Sequence, residues 1–238
     1  MVYDAAVNRR RGKFITFEGL DGCGKSTQTE KLAEALRAQG LKVTVTREPG
    51  GTTVGENIRA VLLDSRTSGL EPLAEMALMF AARAQHLREV ILPALEAGHY
   101  VLCDRFTDST EAYQGFGRKL GSAAVLTLHR VLCGDVQPDL TILMDSEVAR
   151  SVARARRRNL ATGKNGSRGD ENRFERENRS FFQRVHDGYL AIAKREKDRI
   201  VVVDARRHIP AVHAEILREV RHRFFDKPEK KEHAARRA

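Results

Sequence analysis

Residues 19–26 read Gly-Leu-Asp-Gly-Cys-Gly-Lys-Ser and are followed by Thr27, a complete GxxxxGK[ST] pattern. Polyphosphate chemistry asks for this composition. Gly19, Gly22 and Gly24 let backbone amides converge on phosphate oxygens with no Cβ in the way, while Leu20, Asp21 and Cys23 fill the variable positions. A helix starting inside the loop adds the positive end of its dipole. Lys25 supplies a point charge to the β- and γ-phosphates, and the Ser26 hydroxyl is a ligand for Mg²⁺. Cys23 has no histidine beside it in the chain, so it reads as a tolerated small residue and not as a reactive thiolate. The loop predicts a bound nucleoside triphosphate and leaves the acceptor open. The guanine-reading NKxD pattern of a GTPase does not occur in the sequence.

Three further segments carry side chains suited to a second nucleotide. The first is Thr46-Arg47-Glu48-Pro49-Gly50-Gly51-Thr52. The second is Met79, Phe80 and Arg83 on a long helix. The third is Asp104-Arg105-Phe106 with Ser109, Thr110, Tyr113 and Gln114. Alone, each has a plain reading as surface ion pair or core. Together they make an acceptor pocket, because arginines clamp phosphate, apolar faces pack on a base, and hydroxyls and amides bond to its edge. A run of arginines at 154 and 156–158, resumed at Arg173 before Phe174 and Glu175, adds positive charge of the kind a transferring phosphoryl group needs.

These residues need a frame that brings them to one edge. Short apolar, β-branched runs at 14–18, 42–46, 100–103, 140–144 and 200–203 read as strands. Helical periodicity covers 26–39, 54–63, 71–97 (bent at Pro93), 122–132, roughly 173–195 and 210–225. Continuous apolar strands alternating with helices predict an α/β fold of three layers, a five-stranded parallel sheet flanked by helices. Ligands in such sheets bind beyond the carboxyl ends of the strands, where the three segments and the glycine loop fall. Residues 159–172 are glycine-rich and polar, and read either as a plain disordered surface loop or as the mobile part of an arginine-rich lid at about 154–173.

Composition sets the limits. The 238 residues carry a formal net charge of +10. Residues 1–13 hold +3, residues 150–184 hold +7 and residues 226–238 hold +2, so the rest of the chain is at −2. The expected organisation is a basic tail at 1–12, one phosphate-loop domain at 13–225 and a second basic tail at 226–238. The basic block has little aromatic interleaving, which argues against a nucleic-acid surface. No apolar run approaches a membrane span, and residues 1–13 contain no apolar signal core. Three cysteines without a CxxC spacing exclude a disulfide framework and point to a reducing cytoplasm. The histidines show no HxxxH-type spacing for a metal.

The segments FITFEGLDGCGKST, TREPGGT, FAARAQH, DRFTDSTEAYQG and PDLTILMD together resemble the bacterial thymidylate kinase family, over residues 13–225. The resemblance implies ATP + dTMP → ADP + dTDP, dependence on Mg²⁺ and a homodimer, with neither nucleic acid nor membrane as partner. By position it implies that Arg59, Arg83 and Arg105 hold the dTMP phosphate. Ser109, Thr110 and Gln114 would read thymine and sugar, Tyr113 would pack by the deoxyribose, and Glu48 would sit near the 3′-hydroxyl. Asp21 would face the transferring phosphates and Asp104 would contact Mg²⁺, directly or through water. Glu48–Pro49 is expected cis.

The chain departs from the family pattern at several points. Met79 stands where an aromatic residue is frequent, with Phe80 next to it. Gly22 stands where the loop often carries a basic residue, so the lid must supply the catalytic arginine, and position favours Arg173. Arg158 is then a phosphate contact, Arg154 covers adenine, and Glu175 orients Arg173. The flap is longer than usual, and Asn172 replaces a frequent Asp. Two other readings stay open: a different nucleoside monophosphate or deoxynucleoside kinase, and a nucleic-acid-binding ATPase.

Overall fold

The computed structural model describes residues 11–64, 66–67, 69–162 and 173–226; of residues 159–162 and 175 only the backbone is described. Most of both basic tails, the centre of the expected lid, Asn172 and the side chain of Glu175 lie outside the described residues.

All five predicted strands form. They are β1 (Lys13–Glu18), β2 (Val43–Arg47), β3 (Tyr100–Asp104), β4 (Leu140–Asp145) and β5 (Ile200–Asp204). They make one sheet in the order β2-β3-β1-β4-β5, every pairing parallel. Successive side chains point to opposite faces, and both faces are covered. Ile15 and Phe17 pack with Leu32, Ala33 and Leu36 of α1 (Lys25–Ala38) and with Val212, Ile216 and Val220 of α9 (Ile209–Phe224). Phe14, Val101 and Cys103 pack with Met76 and Phe80 of α3 (Pro72–His86) and Val125 of α6 (Ser122–Cys133). The pairing Arg47↔Asp104↔Phe17 keeps the carboxyl ends of β2, β3 and β1 level.

Five further α-helices among the described residues complete the fold. They are α2 (Thr53–Leu63), α4 (Leu92–Glu96), α5 (Thr107–Thr110), α7 (Val148–Thr162) and α8 (Arg179–Arg195). Among the described residues no helix is long and apolar enough to cross a membrane. The helix expected over 71–97 carries its irregularity one turn earlier than Pro93. A π turn, Leu87–Ile91, separates α3 from α4, because Pro93 has no N–H to give the carbonyl four residues back and its ring crowds that turn. The helix expected from 173 begins at Arg179 instead. Asn178 is extended and its side chain accepts the Phe181 amide, which caps the helix there. A second π turn, Glu111–Gly117, follows α5 and has no counterpart in the hydrophobic periodicity.

Candidate active site

The glycine loop joins β1 to α1, as the motif requires. Lys25 is buried and its Nζ donates to the carbonyls of Gly19 (3.0 Å) and Leu20 (3.1 Å), so the loop already curls around a cation. Gly22 has φ +82°, and a Cβ there would lie 2.3 Å from the Ser151 carbonyl and 3.0 Å from the Arg154 Cβ. Helix α7 therefore sits against the loop and leaves no room for a side chain at this position. Ser26 and Thr27 are exposed at the start of α1. Burial pushes the Cys23 thiol up, against the pull of Lys25 and Arg105, so it stays protonated and unreactive.

Ser26 Oγ donates to Asp104 Oδ2 at 3.0 Å, while Asp104 Oδ1 is buried without a partner. A hydroxyl and an under-satisfied carboxylate oxygen at the foot of a phosphate loop fit a hard, oxygen-seeking divalent cation.

Beside the loop lies a cleft with polar and apolar lining residues. Asp21, Glu48, Pro49, Arg59, Met79, Arg83, Arg105, Ser109, Thr110, Tyr113, Gln114 and Arg158 line it, together with Leu63 and Phe174. Sequence reasoning placed the first twelve of these in one site, and the fold brings them together.

At the loop end, Arg105 follows β3 with φ 75°, a left-handed conformation that is strained for a side chain of this size. The turn aims its guanidinium at Asp21 Oδ1 (2.8 Å), Ser109 Oγ (2.9 Å) and Tyr189 OH (3.0 Å). Burial opposes ionisation of Asp21, but Arg105 and Lys25 outweigh it and hold the carboxyl well below its usual range. At the far end, Arg83 donates Nε to Glu48 Oε2 (2.7 Å) and Nη2 to Thr110 Oγ1 (2.9 Å), and its Nη1 is buried without a partner. His86 donates Nδ1–H to Glu48 Oε1 (2.9 Å), and its Nε2 is hydrogen-bonded to Thr46 Oγ1 (2.6 Å). The Glu48–Pro49 bond is cis, as expected. Arg59 donates to the Pro49 carbonyl at 3.0 Å.

Two expected residues lie elsewhere. Phe80 is fully buried in the core beneath the sheet edge, its ring 4.8 Å from the Arg83 guanidinium carbon. It supports Arg83 and does not face the acceptor; Met79, one residue back, turns to the cleft. Arg173 is also outside the cleft. Its Nη1 donates to Glu75 Oε2 (2.7 Å), its Nε to the Leu62 carbonyl, and its own amide to the Leu63 carbonyl (3.2 Å). These bonds tie it to α2 and α3, and among the described residues Arg158 is the lid arginine that lines the cleft. Arg154 is exposed on α7, over the phosphate loop.

Sequence reasoning did not pick out Glu18, Glu75, Phe174 or Tyr189. Glu18, at the end of β1, is buried and accepts from the Phe106 amide (2.7 Å), Ser109 Oγ and Tyr189 OH (3.2 Å). Burial and the Asp108 carboxylate push it up to about 7. Tyr189 hides in an apolar stripe of α8 with Phe181, Phe182, Val185 and Ile192, and nothing in that pattern marks its hydroxyl. Glu75 does leave a signal. Glu75, Met79 and Arg83 stand four residues apart, which puts a carboxylate on the same helix face as two expected cleft residues.

A family model described as "Thymidylate kinase" matches residues 17–216. The thymidylate kinase of Geobacter sp. (strain M21) is 55% identical over 193 residues, 81% of this chain and 84% of that one. That of Magnetococcus marinus is 46% identical over 215 residues, 90% of this chain and 98% of its own. The crystal structure of the thymidylate kinase from Ehrlichia chaffeensis aligns with a TM-score of 0.69 at 34% identity, covering 89% of this chain and 99% of that one.

Proposed function

The chain belongs to the thymidylate kinase family and phosphorylates dTMP with ATP, and from that premise we propose how its residues divide the work. The observation that carries the reading is one cleft, lined by Asp21 of the phosphate loop at one end and by Met79, Arg83, Thr110 and Gln114 at the other.

ATP lies along residues 19–27, with the loop amides and Lys25 on its β- and γ-phosphates and Arg154 over adenine. Ser26 and Asp104 would hold Mg²⁺, which would supply Lewis-acid stabilisation of the phosphate charge. Arg59 and Arg105 take the dTMP phosphate, and Asp21 keeps Arg105 aimed. Arg83 is reassigned. It stands at the far end of the cleft from the phosphate loop, Glu48 and Thr110 occupy its Nε and Nη2, and its remaining Nη1 suits a base carbonyl. Met79 packs on the thymine face, Gln114 and Thr110 meet its edge, and Ser109 and Tyr113 line the sugar. Glu48, held by Arg83 and His86, presents its remaining lone pairs towards the 3′-hydroxyl.

The nucleophile is an anionic phosphate oxygen, so no strong base is needed, and catalysis rests on alignment and charge. Arg158 is the arginine that meets the charge developing on the transferred group. Arg158 also adds to the field that keeps Asp21 ionised.

The free, buried state of all three cysteines supports a reducing cytoplasm. Val54 and Val61 on α2, Leu73 on α3, and Val131 and Leu132 on α6 are exposed apolar side chains that support a homodimer through these helices. A coupled ADP-release assay over dTMP, dUMP, dCMP, AMP, GMP and thymidine tests the acceptor. dTMP should give the highest kcat/KM, and turnover of thymidine without dTMP would refute the reading.

A further inference from the structure

Glu75 has no part in phosphoryl transfer, yet it is fully enclosed and gathers donors from three sides. Arg118 gives Nε (3.2 Å) and Nη2 (3.1 Å), Arg173 gives Nη1 (2.7 Å), and Gln114 gives Nε2 (2.8 Å). Two guanidinium groups already satisfy the charge. The contact with the neutral amide has its main consequence at Gln114. An ionised carboxylate can only accept, so the Gln114 nitrogen must face Glu75. Gln114 also lines the cleft, and the atom left for a ligand is its oxygen.

Arg83 stands two helical steps of four along the same face of α3, with a free Nη1 donor. At the base end Arg83 therefore offers a donor and Gln114 an acceptor. Thymine presents the complement, a carbonyl at C4 and an N–H at N3. Cytosine presents the reverse, an amino group at C4 and a bare N3. Each mismatch would bury two donors or two acceptors against each other.

We propose that Glu75 is a positioning residue for pyrimidine choice: it locks the Gln114 amide with its oxygen towards the cleft, so that the site accepts bases carrying an N3–H and rejects cytosine. The inference rests on Gln114 as a base contact, as proposed above. Uracil has the same edge as thymine, so Glu75 governs dTMP and dUMP alike and leaves the methyl group to other residues.

The test measures kcat and KM for dTMP, dUMP and dCMP, with thermal midpoints, in three variants. Glu75→Gln is isosteric but lets the Gln114 amide turn over. The dTMP:dCMP ratio of kcat/KM should fall about tenfold through KM, dUMP should follow dTMP, and kcat at saturating dTMP should hold within about twofold. Arg118→Gln removes another Glu75 partner and should lower the thermal midpoint while leaving the ratio intact. A folded Glu75→Gln enzyme with wild-type selectivity, or an Arg118→Gln enzyme that loses selectivity equally, overturns the proposal. Gln114→Leu separates the premise. If it leaves dTMP KM and the ratio unchanged, Gln114 is not a base contact and both readings fall. If it narrows the ratio while Glu75→Gln does not, only the role of Glu75 falls. Should Glu75→Gln fail to fold, Glu75→Asp keeps the charge, draws the carboxylate back by one methylene and should shift the ratio in the same direction.

Discussion

Two buried arginine–glutamate pairs share helix α3 and differ in what they can do. Arg83 meets Glu48 and Arg173 meets Glu75, each at 2.7 Å. In both, the acid is nearly or fully enclosed, and in both one η nitrogen of the arginine is buried without a partner. Only the Arg83–Glu48 pair borders the cleft. Glu48 neutralises Arg83 there, so a cation can sit at the base end without drawing the anionic phosphate away from Arg59 and Arg105. Glu75 instead closes α3 against Arg118, Arg173 and Gln114, joining segments that come from different parts of the chain. On the proposed reading the same pairing serves substrate in one place and packs the fold in the other. The direction of the donors left over decides between them.

The contrast breaks most directly at the lid. Arg158→Ala should cut kcat by about a thousandfold with a modest change in ATP KM, as loss of an arginine finger does. Single-turnover phosphoryl transfer measures this, and a kcat within a fewfold of wild type would remove Arg158 from the mechanism. Arg83→Ala comes next. It strips a base contact and leaves Glu48 buried without its cation, so dTMP KM should rise about a hundredfold and stability should fall by ~3 kcal/mol. Arg173→Ala should do neither to substrate. Glu75 keeps Arg118 and Gln114, so the loss is about 1–3 kcal/mol of stability in urea titration, with kcat near wild type. A folded Arg173→Ala enzyme with collapsed turnover would invert the comparison and return the catalytic role to Arg173.

The sheet was legible in the sequence because its strands are short apolar or β-branched runs whose alternation with helices implies parallel pairing, while the strand order β2-β3-β1-β4-β5 was not. The phosphate loop and most of the cleft were legible because their residues fall at strand ends, where position alone implies proximity. The errors have a common origin. Arg173 and Phe80 were placed by spacing within a motif, and spacing does not say which way a side chain points once the backbone departs from a regular helix. Arg173 lies ahead of the 3₁₀ turn Phe174–Arg176, outside the helix that periodicity extended over it. Phe80 sits one position from Met79, about a hundred degrees around α3, which turns it from cleft to core. Glu18 and Tyr189 escaped for a different reason. Each is a polar group on an element otherwise read as apolar, and only the tertiary fold joins residues so distant in sequence.

The smallest effect concerns that hidden pair and extends the comparison to a third buried acid. Glu48 and Glu18 are both enclosed, and burial raises the pKa of each. At Glu48 the adjacent Arg83 and His86 reverse the shift and the pKa falls. Glu18 has only hydroxyls and one amide in direct contact, with Arg105 farther off and Asp108 adding repulsion, so it rises from 4.5 to about 7. The sign of the consequence follows from linkage. The folded protein keeps this proton at pH values where the unfolded chain has released it. The stability it contributes is complete below about 4.5 and is lost as pH rises through about 7. One such group gives a slope of at most ~1.4 kcal/mol per pH unit. Glu18→Gln keeps the shape, an acceptor oxygen for the Phe106 amide and an NH2 that can donate to the Ser109 hydroxyl, but cannot titrate, so its unfolding free energy should vary less between about pH 5 and 7 than that of wild type. An unchanged slope would mean that Glu18 is ionised in the fold, and that direct guanidinium contact is not what separates the two acids.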